Sequence, residues 1–190
     1  ADVRLRLMRS SAASNVYKSQ VDGLRTLQFK KVIFYYPGEI QPKILEVINL
    51  RLEAGTTLGI IGPQVSSKST LAQLIPRFYD PTSGRIEIDG QDIKNVTLDS
   101  LRSRVGLVSQ DITLFADTVV ANIAYGLPDA VLDDVVVAAK NSAAHGFIEA
   151  LPHGYDTVLG ANGVRLSGGQ RQRITIARAS LKDAPILLLE

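Results

Sequence analysis

The run Leu-Ser-Gly-Gly-Gln-Arg-Gln-Arg at residues 166–173 constrains this chain more than any other segment. Two adjacent glycines precede apolar residues at helical spacing, namely Ile174, Ala177 and Leu181. The run predicts a helix whose first N–H groups lie at the positive end of the helix dipole, where a phosphorylated ligand can bind. The alternative is a Ser-Gly-Gly loop that only begins a helix, since Ser is a common N-cap.

A second informative segment lies about a hundred residues upstream. The apolar run at residues 57–61 is followed by Gly-Pro-Gln-Val-Ser-Ser-Lys-Ser-Thr at residues 62–70. Apolar residues then recur at helical spacing: Leu71, Leu74, Ile75 and Phe78. The order of strand, loop and helix is typical of a phosphate-binding loop, in which lysine reaches the phosphates and the next hydroxyl binds Mg²⁺. An ordinary helix start containing Ser and Lys is the alternative.

Together these segments resemble the ATP-binding-cassette (ABC) ATPases. Residues 166–173 match the family's signature motif, and residues 62–69 are similar to its Walker A phosphate loop. Further matches follow in the family's order. The resemblance implies that Tyr36 is the aromatic residue that stacks on adenine and that Gln110 is the Q-loop glutamine. Residues 185–190 resemble the Walker B strand, and the resemblance covers about residues 26–190.

The phosphate loop departs from the family pattern at two positions. Ser67 stands where the pattern has the glycine before the lysine, and Val65 stands where ABC proteins usually have another glycine. A serine held in the left-handed backbone region loses about 1–2 kcal/mol, and a β-branched valine fits there worse. We therefore expect a degenerate Walker A loop with weakened nucleotide binding, although Lys68 and Ser69 are retained.

Two further departures concern coupling and hydrolysis. Glu190 falls where the Walker B aspartate normally lies, and the sequence ends before the family's catalytic glutamate and switch histidine. We expect either a fragment truncated at Walker B or a chain that does not hydrolyse ATP by the family mechanism. Glu190 either replaces the aspartate or is itself the catalytic glutamate after a one-residue deletion. Ala161 stands where exporters commonly have a glutamate that touches the membrane domains.

The pattern of apolar residues predicts an α/β fold. Strand-like segments between Leu27 and Leu52 and at residues 85–88 predict an antiparallel section. The phosphate loop predicts a mostly parallel sheet of the P-loop NTPase type, with a helical insert that follows Gln110 and carries the signature run. We expect residues 1–22 to form a linker or frayed lead and residues 23–190 to form an ABC-type ATP-binding domain, incomplete at its C-terminus.

Composition excludes several function classes. The 21 basic and 19 acidic side chains leave a net charge of +2, which does not favour nucleic-acid binding. Cysteine is absent, which excludes disulfides and thiolate chemistry. The apolar runs fall far short of the roughly 18 residues that a membrane span requires. His145 and His153 stand without metal-ligand spacing.

The resemblance is strongest to exporter half-transporters and implies ATP and Mg²⁺ as cofactors. It implies two cassettes paired head to tail, transmembrane domains as partners and a location at the cytoplasmic face of a membrane. Lys68 and Gln110 are the expected catalytic residues, and Ser69, Gln110 and Glu190 are the expected Mg²⁺ ligands. The expected nucleotide-binding residues are Tyr36, Gly62, Ser66, Ser67, Lys68, Ser69, Thr70, Ser167, Gly168, Gly169 and Gln170.

Two other functions remain open at the level of sequence. A degenerate cassette could hold nucleotide, or serve only a structural role, beside a competent partner. The substitutions at Val65, Ser67 and Glu190 favour that alternative. A soluble ABC-type ATPase that acts on nucleic acid is disfavoured by the near-neutral charge and by the exporter-like segments.

Overall fold

The chain folds as an α/β protein in a computed structural model. The structure describes residues 3–7, 26–36, 44–63, 67–160 and 166–190. Three positions discussed above, Val65, Ser66 and Ala161, lie outside the described residues.

Contacts within the chain define two compact units. The sheet unit comprises Ala1–Leu107 and Ala184–Glu190, and the helical unit comprises Val108–Asp183. The helical unit is thus inserted into the sequence of the sheet unit. This arrangement confirms the prediction of a helical insert that carries the signature run.

The strands form two four-stranded sheets among the described residues. One sheet has the order β4-β1-β8-β7 and the other has the order β3-β2-β5-β6. The strands are β1 (Val3–Leu7), β2 (Thr26–Phe34), β3 (Leu45–Glu53), β4 (Thr57–Ile60), β5 (Ser83–Ile88), β6 (Gln91–Asp92), β7 (Val105–Val108) and β8 (Ile186–Leu189).

The second sheet is the predicted antiparallel section. Buried residues alternate with more exposed ones along β2, with Leu27 and Phe29 before an irregularity in the pairing and Val32 and Phe34 after it. Lys31 has a φ of 50° at this irregularity. The extra residue of a β-bulge shifts the two-residue period by one. All four apolar side chains therefore stay buried in the core.

Strand β1 lies within the range that was predicted to be a linker or frayed lead. It is antiparallel to both neighbours, with Leu5 opposite Leu58 of β4 and Leu188 of β8. Leu5 is buried whereas Arg4 and Arg6 are exposed, which is the two-residue alternation of a half-buried strand. Burial of Leu5 and pairing on both sides hold residues 3–7 in the sheet, whereas a linker or frayed lead was expected over residues 1–22.

The position of β1 also changes the expected direction of the strands. Strands β4 and β8 run in the same direction, since each is antiparallel to β1. The expected parallel arrangement is therefore interrupted by one strand of opposite direction. The α/β fold with an antiparallel section agrees with the prediction.

Helices occur in both units. The predicted helix after the phosphate loop is shorter than its apolar pattern, because Pro76 lacks the N–H that an interior helical residue donates. Phe78 consequently lies beyond the helix and is half exposed.

No helix in the described ranges has the length and apolarity to cross a membrane. The helices are α1 (Lys68–Leu74) and α2 (Leu98–Ser103) in the sheet unit, and α3 (Val119–Ala124), α4 (Leu132–Asn141), α5 (His145–Glu149) and α6 (Gly168–Lys182) in the helical unit.

Candidate nucleotide site

The ends of two strands define the candidate site in the sheet unit. On β1, Val3 lies opposite Ile60 of β4, and Arg4 lies opposite Leu189 of β8. The carboxyl ends of β4 and β8 therefore lie at the same edge of the sheet. Ligands of open α/β sheets bind outside such strand ends. Glu190 directly follows β8, and the phosphate-loop segment directly follows β4.

Lys68 is the first residue of α1 and is buried, with 7% of its surface exposed. Its ammonium nitrogen Nζ donates to the carbonyl oxygens of Gly62 at 2.8 Å and Pro63 at 2.7 Å. A buried charge needs such partners, because desolvation is costly. The lysine is thus folded back onto the loop that begins after β4.

Ser67 precedes α1 and has a φ of −39° and a ψ of 32°. Its backbone is therefore outside the left-handed region, where the strain from replacing glycine was expected. Its side chain makes no capping hydrogen bond to the helix. The expected strain at Val65 concerns a residue outside the described ones.

The two hydroxyl residues after Lys68 differ in exposure. Ser69 is exposed, whereas Thr70 is buried, with 6% of its surface exposed. The Thr70 Oγ1 lies 2.9 Å from the hydroxyl oxygen of Tyr36, a hydrogen bond in which either group can donate. The residue expected to bind adenine is thereby joined to the helix expected to bind phosphate.

Tyr36 lies two residues after the end of β2 and is half-buried. Its ring is nearly perpendicular to the rings of Phe34 and Tyr79, with centroids 4.9 Å and 5.2 Å away. Tyr79 was not among the residues expected at this site. No local sequence signal could have placed it there, because Tyr36 and Tyr79 are brought together only by the fold.

The signature run begins α6 in the helical unit. Ser167 is the N-cap, and its side chain accepts a hydrogen bond from the backbone N–H of Gln170 at 3.2 Å. The Gln170 Oε1 accepts a hydrogen bond in return from the backbone N–H of Ser167 at 2.9 Å. This capping box fixes the start of the helix. The spacing Ser-x-x-Gln is the sequence signal that could have predicted it.

Gly168 and Gly169 are exposed at the first two positions of α6. A Cβ added at either residue would meet no atom within 4 Å. Packing within the described chain therefore does not require glycine here. The residues leave the helix backbone accessible from outside, as close approach of a ligand would require.

Gln110 belongs to the helical unit and follows β7 with an exposed side chain. The neighbouring Ser109 donates its hydroxyl to the carbonyl oxygen of Asp111 at 2.8 Å, which holds the turn around Gln110. The expected residues are therefore divided between the units. The sheet unit carries Tyr36, Gly62, Ser67, Lys68, Ser69, Thr70 and Glu190, and the helical unit carries Gln110, Ser167, Gly168, Gly169 and Gln170.

A buried polar network supports the loop between Gln110 and α3. Asn122 is fully buried and donates through Nδ2 to the carbonyl oxygens of Phe115, Asp117 and Thr118. Its Oδ1 accepts from the N–H of Phe115 at 2.9 Å. A buried amide satisfied in this way holds the loop in one conformation.

The residues that the structure describes contain no cluster of three or more His, Cys, Asp or Glu side chains suited to a metal.

Comparison with known proteins identifies the family. The family described as ABC transporter matches residues 45–190, which is more than half of the chain. The chain therefore belongs to the ATP-binding-cassette transporter family.

Several known proteins are similar to the chain. The ATP-dependent lipid A-core flippase of Chromohalobacter salexigens is 52% identical over 172 residues, which cover 90% of this chain and 29% of the flippase. ABC transporter B family member 19 of Arabidopsis thaliana is 50% identical over 171 residues, which cover 90% of this chain and 14% of that protein.

A solved structure shares the fold. It is the structure of a bacterial Atm1-family ABC exporter with ATP bound, which is 42% identical in sequence with a TM-score of 0.81. The similarity covers 96% of this chain and 31% of the exporter chain. The chain thus spans less than a third of the length of each of these relatives.

Proposed function

We propose that this chain binds ATP with Mg²⁺ and that ATP binding and hydrolysis at a head-to-tail pair of such chains power export across a membrane. The observation that carries the proposal is the meeting of the carboxyl ends of β4 and β8 at one sheet edge, with buried Lys68 after one and Glu190 after the other. Membership of the ABC transporter family supports the same function.

The residues at this edge fit a Mg²⁺-bound triphosphate. The Lys68 ammonium already donates to two carbonyl oxygens, and phosphate oxygens are acceptors of the same kind with a negative charge. Ser69 supplies an exposed hydroxyl, and Glu190 supplies a carboxylate, which are oxygen ligands of the type Mg²⁺ prefers. Gln110 belongs to the helical unit, and its proposed role as a Mg²⁺ ligand and catalytic residue rests on the family resemblance.

The bound nucleotide would supply a transferable phosphoryl group, and the chain would supply position and charge. Lys68 would hold the β- and γ-phosphate oxygens, and Tyr36 would stack on the adenine ring. The backbone of Gly62, Ser66, Ser67 and Thr70 would line the phosphates. Such positioning is the main contribution of proteins to phosphoryl transfer.

The signature end of α6 is proposed to bind the nucleotide of a second cassette. The accessible backbone of Gly168 and Gly169 and the dipole of a helix of 15 residues favour an anion there. The partners we propose are that second cassette and the transmembrane domains of an exporter. The chain would then lie at the cytoplasmic face of a membrane.

The degenerate, non-hydrolysing alternative loses one of its grounds. Ser67 does not occupy the left-handed region, so its side chain need not distort the phosphate loop. We therefore favour a competent nucleotide site over the degenerate one.

A mixing experiment tests the proposal. Lys68→Ala removes the phosphate-binding ammonium, and Gly169→Asp places a negative charge at the signature end. Each variant alone should bind no fluorescent ATP analogue in a paired form. An equal mixture should recover pairs with one intact site. In each mixed pair, the Lys68→Ala chain supplies an unchanged Ser167–Gln170 segment and the Gly169→Asp chain supplies an unchanged Lys68.

The controls separate binding from pairing. Tyr36→Ala should weaken the binding of the fluorescent analogue by roughly 5- to 150-fold, as expected for loss of base stacking. Tyr35→Ala changes the adjacent tyrosine and should leave the affinity close to that of the parent. A parent chain that binds no Mg·ATP would contradict the proposed function, and a mixture with no recovery would contradict the head-to-tail arrangement.

A further inference from the structure

The ring of Tyr36 is oriented by side chains rather than by a sheet. The residue lies beyond the last residue of β2, Phe34, and takes no part in strand pairing. The backbone just before it is tied to a neighbouring segment, since the Tyr35 N–H donates to the Thr82 Oγ1 at 3.1 Å. The conformation of the Tyr36 side chain must therefore be set by the groups that touch it.

Among the described residues, Phe34, Tyr79 and Thr70 restrain the Tyr36 side chain from different directions. The rings of Phe34 and Tyr79 lie at interplanar angles of 82° and 87°, which is the favoured edge-to-face geometry. The rings of Phe34 and Tyr79 also touch each other, with centroids 5.6 Å apart. The phenol hydroxyl is held at its far end by Thr70. Ring and hydroxyl are thus both restrained.

Thr70 is a firm anchor for this hydroxyl. It lies within the first turn of α1 and is buried, and a β-branched side chain in a helix has few rotamers. Thr70 follows Lys68 and Ser69, so the hydrogen bond joins Tyr36 to the phosphate-binding helix itself. A base resting on Tyr36 is then held at a fixed position relative to the phosphates.

From this geometry we propose that Thr70 and Tyr79 are positioning residues for adenine, which hold the Tyr36 ring ready to stack on the base before the nucleotide arrives. The proposal rests on the proposed function, in which Tyr36 stacks on adenine. A ring that is already immobilised loses less conformational freedom on binding. The hydroxyl of Tyr36 therefore contributes to base recognition without touching the base.

The test compares two ligands on the same chain by calorimetry. Mg·ATP carries base and phosphates, whereas Mg·tripolyphosphate carries phosphates alone. The Kd of Mg·tripolyphosphate divided by the Kd of Mg·ATP measures how much the base contributes to the affinity. This ratio is insensitive to changes that affect only phosphate binding or overall stability.

Tyr36→Phe keeps the ring and removes the hydroxyl, and it should reduce the ratio by about 3- to 10-fold while tripolyphosphate affinity stays the same. Thr70→Val should reduce the ratio by a similar factor. Thr70→Ser keeps a hydroxyl for Tyr36 and should leave the ratio close to that of the parent. The double variant Tyr36→Phe/Thr70→Val should match the single variants, because all lose the same hydrogen bond.

Tyr79 provides a matched pair of variants. Tyr79→Leu removes the edge-to-face contact and should reduce the ratio, whereas Tyr79→Phe removes a phenol hydroxyl but keeps the contact and should leave it unchanged. Thermal unfolding of every variant identifies any that do not fold. The remaining variants then decide the outcome.

Several outcomes would overturn the proposal. It fails if Tyr36→Phe leaves the ratio unchanged or raises it, or if the effects of Tyr36→Phe and Thr70→Val multiply in the double variant. Tyr36→Ala separates this failure from that of the proposed function. If Tyr36→Ala lowers the ratio but Tyr36→Phe does not, adenine stacks on Tyr36 but its hydroxyl does not position the ring. If Tyr36→Ala leaves the ratio unchanged, both the stacking and the positioning are contradicted.

Discussion

The starts of helices α1 and α6, which both carry expected nucleotide-binding residues, are built in different ways. At α6 the cap is complete, the glycines are exposed, and the backbone is accessible from outside. At α1 the side chain of Ser67 makes no cap, and Lys68 and Thr70 are turned inward onto partners of the same chain. Under the proposed function, the signature end would receive an anion as it stands, whereas Lys68 would have to exchange its carbonyl partners for phosphate oxygens.

The largest expected effect concerns the inward-turned lysine. Lys68→Met should weaken the binding of Mg·ATP by about 10- to 150-fold, because a hydrogen bond to a charged group contributes roughly 1.5–3 kcal/mol. Calorimetric titration measures this change. Lys140→Met, at an exposed position of α4, is the matched control and should bind ATP like the parent. Equal affinities of the two variants would show that Lys68 keeps its carbonyl partners when ATP binds.

The next effect compares the two caps. Ser167→Ala should lower the free energy of unfolding by about 1 kcal/mol, because it removes the side-chain acceptor of the capping box. Ser67→Ala should cost only a few tenths of that, since Ser67 makes no side-chain cap. Urea denaturation measures both changes, with exposed Ser180→Ala on α6 as the control. Equal losses at Ser67 and Ser167 would remove the difference between the helix starts.

A smaller effect of opposite sign is expected at Gly169. Alanine there should raise the free energy of unfolding by up to about 1 kcal/mol, because helical glycine is less favourable than alanine and the new Cβ meets no atom within 4 Å. The same change should weaken ATP-dependent pairing, measured by light scattering. Gly146→Ala, whose Cβ is equally unobstructed in α5, should raise stability without changing pairing. Intact pairing of Gly169→Ala would show that ligands do not approach this backbone.

The smallest effect is expected at Ser67. Ser67→Gly should leave the affinity for Mg·ATP within about twofold of the parent, because the φ of −39° leaves no left-handed strain to relieve. A tenfold tightening, measured by the same titration, would show that the nucleotide-bound loop demands a conformation different from the one described.

Much of this arrangement could be predicted from local sequence. The apolar run that forms β8 and the alternation that forms β5 are both visible in the sequence, and the Leu132–Ala139 spacing indicates the helix observed as α4. Each of these signals lies within a few residues of chain. Family resemblance then supplied the expected site residues, whose roles stay predictions.

The features that were missed depend on distant parts of the chain. The alternation of Arg4, Leu5 and Arg6 was too short to distinguish a strand from a basic lead, and only pairing with β4 and β8 decides it. The bond between Tyr36 and Thr70 spans 34 residues of sequence. The backbone angles of Ser67 could not be inferred from the presence of glycine at that position in the family pattern.

The place of β1 has a consequence for the order of folding. This strand pairs on one side with β4 and on the other with β8. The second pairing joins residues near 5 to residues near 188, so it can form only after nearly the whole sequence is present. Contacts between such distant residues form slowly, because a long loop must close first. The helical unit, which lies between Val108 and Asp183, contains only contacts closer in sequence. During synthesis it could therefore be complete while the first sheet still lacks its last central strand.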